Sequence, residues 1–192
     1  EHVGVTDAFT ALAGWHGVDG SLDAQHRRRR LWRAVLDRHE GSDPCSWLES
    51  VCRQAERIRP ATDGVAVSTF VGSEPANVLA ASNPWAQEIE TLQQVVGEGP
   101  GMDVAASHQA VLAEDLKADR RWPVFALLAI QAGARSAWSV PLTSGRDVLG
   151  TMTFFGRTTD PWKTAHLIDS FLLADLAASA MVADAANIEE GA

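Results

Sequence analysis

Leu92-Gln93-Gln94-Val95-Val96-Gly97-Glu98-Gly99-Pro100-Gly101-Met102-Asp103 ends one helix and begins another within a few residues. Gly97 suits the left-handed position that closes a helix, because it carries no Cβ to clash there. Pro100 suits the first turn of the next helix, where a missing N–H costs nothing. Free backbone N–H groups at that new N-terminus are able to hold an anion or a ligand carbonyl. A plain helix–helix junction explains the same residues, and it is the stronger reading. Met102 occupies the last glycine position of G-x-G-x-x-G, so the stretch is not a dinucleotide fingerprint.

Upstream, Asn83-Pro84 pairs a capping side chain with a first-turn proline. Trp85, Ile89, Leu92, Val95 and Val96 are expected to line the inner face of the helix that follows. Residues 65–71 are β-branched and alternating, Gly72-Ser73-Glu74-Pro75 reads as a turn, and residues 77–81 complete a hairpin. Two helices are predicted before it. Residues 22–40 carry a strip of Leu31, Trp32, Val35 and Leu36. The second opens at Asp43-Pro44, buries Leu48, Val51, Cys52, Ala55 and Ile58, and stops at Pro60.

Downstream, residues 109–114 read as a short strand and residues 122–132 as an apolar helix closed by Gly133. Residues 135–142 and 148–155 are strands joined by Thr143-Ser144-Gly145-Arg146-Asp147. Asp160-Pro161 starts a last helix to about residue 182, carrying Ile168, Phe171, Leu172 and Leu176. Hairpins separated by helical crossovers predict an α+β fold: an antiparallel sheet of five or six strands with helices on both faces. The expected division is a helical extension over residues 1–61, a sheet domain over 62–185 and a tail over 186–192.

Composition narrows the function. A formal charge of −9 argues against general nucleic-acid binding, which needs a basic face. The local exception, Arg27 to Arg30, would point in all directions on a helix turning about 100° per residue. Cys45 and Cys52 have no C-x-x-C spacing and read as reduced core thiols. Residues 125–130 are too short to span a bilayer, and residues 171–181 are interrupted by Asp175. A cytoplasmic, non-membrane protein is expected. The chain begins at Glu1 and not at Met, which fits a piece of something longer.

The quoted stretch resembles the "LQ…GEGPCxD" signature of actinobacterial GAF domains, which often precede an RNA-binding ANTAR module. Asp115-Leu116, Arg121-Trp122-Pro123-Val124-Phe125, Gly133-Ala134-Arg135-Ser136, Val140-Pro141-Leu142 and Leu149-Gly150-Thr151 follow the same pattern in the same order. The family's frequent Cys after Gly-Glu-Gly-Pro is Gly101 here, so no thiol role carries over to it. RNA-binding output does not carry over either. The resemblance implies a GAF-like fold and a sensory or dimerising role.

Catalytic signatures are missing: no G-x-S-x-G, no H-E-x-x-H and no G-x-x-x-x-G-K-[ST] occurs. The histidines at 2, 16, 26, 39, 108 and 166 have no metal-ligand spacing, so no metal site and no enzyme activity are expected. Methionine sulfoxide reductases of this fold use pocket cysteines, and Cys45 and Cys52 precede the domain. The resemblance places Trp122, Phe125, Trp138, Met152 and Phe154 on elements that flank a ligand cavity. Their rings suit a small ligand, although large apolar residues at alternate strand positions usually fill a core. The expected function is a regulatory module that binds a small molecule. The alternative is a dimerising scaffold with a collapsed pocket. Apolar stripes on the terminal helices predict a homodimer through them.

Overall fold

A period-two strand pattern has two faces, and here helices cover both. The computed structural model describes residues 44–59, 61–71, 74–145, 147–159, 162 and 164–190. The helix expected over residues 22–40, Asp43, the Gly72-Ser73 turn positions and Asp160-Pro161 lie outside the described residues. The described chain runs α1 (Pro44–Ile58), β1 (Gly64–Val71), β2 (Glu74–Ala81), α2 (Pro84–Val96), α3 (Pro100–Ser107), β3 (Val111–Ala113), α4 (Pro123–Gln131), β4 (Ser136–Ser144), β5 (Asp147–Gly156) and α5 (Thr164–Glu190). The five strands form one antiparallel sheet in the order β2-β1-β5-β4-β3.

Local chemistry sets the boundaries. Asn83 accepts a hydrogen bond from the Ala86 N–H at 2.9 Å and caps α2, with Pro84 in its first turn. Gly97 closes α2 at φ 69°, in the left-handed region, and Pro100 opens α3. The loop between β4 and β5 is shorter than the pattern suggested, because the strands run on to Ser144 and Asp147, which pair with each other. The last helix continues past residue 182 to Glu190.

One face of the sheet packs on α1 and α5. Leu48, Val51, Cys52 and Ala55 from α1 meet Val65, Val67, Trp138, Val140, Met152 and Phe154, with Leu173 and Ala177 from α5 closing the layer. Thus α1 shares the core of the sheet. The opposite face lies under α2, α3 and α4, where Ala66, Ala137 and Phe155 meet Ile89, Val104 and Phe125.

The inner face of α2 carries Ile89, with Trp85, Leu92 and Val96 partly buried against the same core, as expected, and differs from expectation at Val95, Glu90 and Gln93. Ala86, Ile89, Glu90 and Gln93 are its buried residues, whereas Val95 is 77% exposed. Val95 stands two positions beyond Gln93, about 200° round the helix, so both cannot face the sheet.

Candidate functional site

The α2 side of the sheet has a polar centre. Strand alternation sends Ser68, Ser139, Thr151 and Thr153 to this face, and register makes them neighbours: Ser68 opposes Thr151 and Ser139 opposes Thr153. Each is at most 1% exposed. The Ser139 and Thr153 hydroxyls are hydrogen-bonded at 3.0 Å, but the Thr151 hydroxyl is buried without a partner. Leaving a buried hydroxyl unpaired costs about 1–3 kcal/mol.

Helix α2 lowers Glu90 and Gln93 onto this floor. One oxygen of Glu90 accepts from the Ser68 hydroxyl at 2.7 Å, and the other accepts from the Gln93 amide at 2.8 Å. Thr153 also hydrogen-bonds to the Glu90 carboxyl. Burial pushes the acidity of Glu90 toward higher pKa, and the bonds from Ser68, Thr153 and Gln93 only partly offset that. No cation contributes to its environment among the described residues. Gln94, half-buried at the rim, donates to the Ser68 hydroxyl at 3.3 Å.

The junction between α2 and α3 is tied to the same network. Gln93 Oε1 accepts from the Gly101 N–H at 2.8 Å, so one of the N–H groups free for an anion at the start of α3 is already used. A Cβ at Gly99 would lie 2.4 Å from that oxygen, and Gly99 has φ 136°. Glycine is therefore needed there on both counts. Glu98 reaches the other way: its Oε2 accepts from the Val124 and Phe125 N–H groups at 2.9 and 3.2 Å. Helix α4 has no side-chain cap from its own N-terminal neighbour Trp122, and Glu98 supplies one.

The sheet divides the five residues singled out as cavity-lining. Trp122 and Phe125 are buried on the α2–α4 side. Trp138, Met152 and Phe154 are buried on the opposite side, against the terminal helices. The Trp138 indole N–H donates to the Ser170 hydroxyl of α5 at 2.6 Å, and its ring meets Phe171 edge-on at 6.0 Å. The Arg59 guanidinium lies 4.3 Å over Phe154. These five do not converge on one pocket, and parity is the reason: Trp138 opposes Phe154 and Val140 opposes Met152, so all point away from Thr153 and Ser139.

Glu90, Gln93 and the four hydroxyl residues are not among the residues that the sequence pattern singles out. Their signal was present: Ala86, Ile89, Glu90 and Gln93 follow helical spacing, and Thr151 and Thr153 alternate with Met152 and Phe154. Polar residues in such positions resemble a solvated face until something is known to cover them.

Cys52 lies on α1, fully buried and beyond the opposite face of the sheet, where burial pushes its thiol pKa up. No group of three or more metal-ligating side chains occurs among the described residues, and no described helix is long and apolar enough to cross a membrane. A surface groove of about 280 Å³ runs between α1 and the edge strand β2, lined by residues such as Arg53, Leu79 and Gln87. It is separate from the hydroxyl floor.

Solved structures share this architecture. The GAF domain of an Acinetobacter phosphoenolpyruvate-protein phosphotransferase aligns at TM-score 0.63 and 14% identity, over 88% of this chain and 99% of that one. GAF3 from Slr1393 of Synechocystis sp. PCC6803, in its photoproduct state, aligns at 0.61 and 10% identity, over 77% and 98%. A free methionine-R-sulfoxide reductase from Neisseria meningitidis, solved with its substrate, aligns at 0.57 and 15% identity, over 85% and 95%. No curated protein matches the chain. The family description "GAF domain" matches residues 13–182, most of the chain, and the chain therefore belongs to the GAF domain family.

Proposed function

We propose that this chain is a regulatory sensor module that binds a small molecule between α2, α3 and the sheet, and that binding alters the packing of its terminal helices. The observation that carries this reading is the polar centre itself. A sheet covered on both faces gains most from apolar residues, yet Glu90, Gln93 and four hydroxyl side chains occupy its middle. Such a cluster costs stability wherever its hydrogen bonds are incomplete, as at Thr151. The strands carrying it also carry Trp138, Met152 and Phe154 against α1 and α5, so strain at the floor has a direct path to those helices.

A second reading, a dimerising scaffold, is favoured by the way Trp122, Phe125 and Phe155 already fill the α2 side. Thermal shift against a library of small polar metabolites separates the two. A ligand at 100 times its dissociation constant adds about 2.7 kcal/mol. A stabiliser whose effect disappears in Ser139→Val supports the sensor, and a flat library supports the scaffold.

The residue 92–103 motif supports the actinobacterial type of GAF domain, and on this reading the chain acts in the cytoplasm in signal transduction without catalysis. The burial of Cys52 away from the polar centre supports a non-reductase role. Exposed Ile58 on α1, with Ile168 and Val182 on α5, supports a homodimer through the terminal helices.

A further inference from the structure

The floor beneath α2 holds a carboxyl group with no counter-charge among the described residues. Glu90 is 2% exposed, and its partners Ser68, Gln93 and Thr153 are all neutral donors. An ionised carboxylate in that setting carries a large desolvation penalty, which neutral hydrogen bonds offset only in part. Thr151 adds a second unmet demand. Its hydroxyl is fully buried and unpartnered, and it stands directly across from Ser68, whose own hydroxyl binds Glu90. An acceptor with no cation among the described residues and a hydroxyl without its partner therefore both neighbour Ser68.

We propose that this site takes a small ligand whose deepest group is a cation, a primary ammonium or an amidinium, seated between Glu90 and Thr151. This rests on the sensor reading and names the ligand class. The several N–H donors of such a group suit the Glu90 oxygens together with the floor hydroxyls, which accept as well as donate. An anionic ligand is disfavoured, because it would face Glu90 with no arginine or lysine in the network to balance it. Entry lies beside Gln94, which is half-buried and whose 3.3 Å bond to Ser68 is longer than the bonds of Ser68 and Gln93 to Glu90. The ligand's apolar part then meets Ile89, Val104 and Phe125.

The test is a charge series on the purified full chain: methylammonium against methanol and formate, and benzamidine against benzamide and benzoate. Binding is read by thermal shift and by titration of the indole N–H resonances. The expected result is that one cationic member binds at least about tenfold tighter than its neutral counterpart, the worth of a hydrogen bond to a charged group. Glu90→Gln removes that preference. Because this variant sets an amide N–H₂ against the one Gln93 now donates, its fold is checked by near-ultraviolet circular dichroism. Thr151→Val, which keeps the side-chain shape, serves as the second variant and weakens the cation severalfold. Equal or tighter binding of the anions or neutral members, or no response to either cation, overturns the proposal. The sensor reading fails separately, on a flat response to the whole metabolite library.

Discussion

Glu98 Oε2 accepts the backbone N–H of Val124 at 2.9 Å, so a residue between α2 and α3 caps the first turn of α4 through an N–H 26 positions further on. The same junction is held on its other side by Gln93, which bonds both Gly101 and Glu90. The junction between α2 and α3 thus fastens α4 to the polar centre.

Removing the cap tests that connection. Glu98→Ala is expected to destabilise the chain by about 1 kcal/mol, in the usual range for a lost N-terminal cap. Glu98→Gln, which keeps an acceptor, should lose less. Urea denaturation measures both, and equal midpoints for wild type and Glu98→Ala would refute the capping role.

The glycines of the junction are expected to respond unequally. Gly97 has φ 69° with nothing within 4 Å of an added Cβ, so Gly97→Ala pays for backbone conformation alone, about 1 kcal/mol. Gly99→Ala adds a clash with Gln93 to a φ of 136° and should cost more. In a double-mutant cycle, Gln93→Ala relieves part of the Gly99→Ala cost. Strict additivity would show that the contact is not what demands glycine.

Thr151→Val is expected to stabilise the ligand-free chain by about 1 kcal/mol, because it replaces an unpaired buried hydroxyl with a methyl group of the same shape. A fall in the melting midpoint would mean that the hydroxyl has a partner in solution.

The buried carboxyl predicts a pH dependence of definite sign. Burial raises the folded-state pKa of Glu90 above its ordinary value of 4.5, so the native state holds its proton more tightly than the unfolded chain. Its contribution to stability is fully present below about pH 4.5 and is lost as pH rises through the folded value. Asp119 runs oppositely. Burial tends to raise it, but the hydrogen bonds and charge of Arg121 together hold it below its ordinary 3.8. Its contribution is lost only on acidification below that value. Urea midpoints measured upward from about pH 4.5 should decline for the wild type and be flatter for Glu90→Gln. Identical slopes would show that Glu90 is not the group responsible.

Light scattering checks the proposed homodimer. A mass near twice 20.6 kDa is expected, and Ile58→Glu with Ile168→Glu should return it to 20.6 kDa, since both positions are exposed on the terminal helices. A wild-type mass that stays at 20.6 kDa across micromolar concentrations would rule the dimer out.

The sequence by itself determined what neighbours in the chain can decide. Asn83 and Pro84 start α2, Gly97 stops it and Pro100 starts α3, because caps, missing N–H groups and left-handed backbone are local matters. Strand alternation likewise separated Met152 and Phe154 from Thr151 and Thr153. Only the tertiary structure decided what covers each face. It set Trp138, Met152 and Phe154 against α1 and α5, and it placed Glu90 over the hydroxyls of Ser68 and Thr153. It also brought Glu98 to the start of α4. The physical reason is that periodicity defines two faces without naming their partners. Those partners are fixed by strand register and helix packing between residues far apart in the chain.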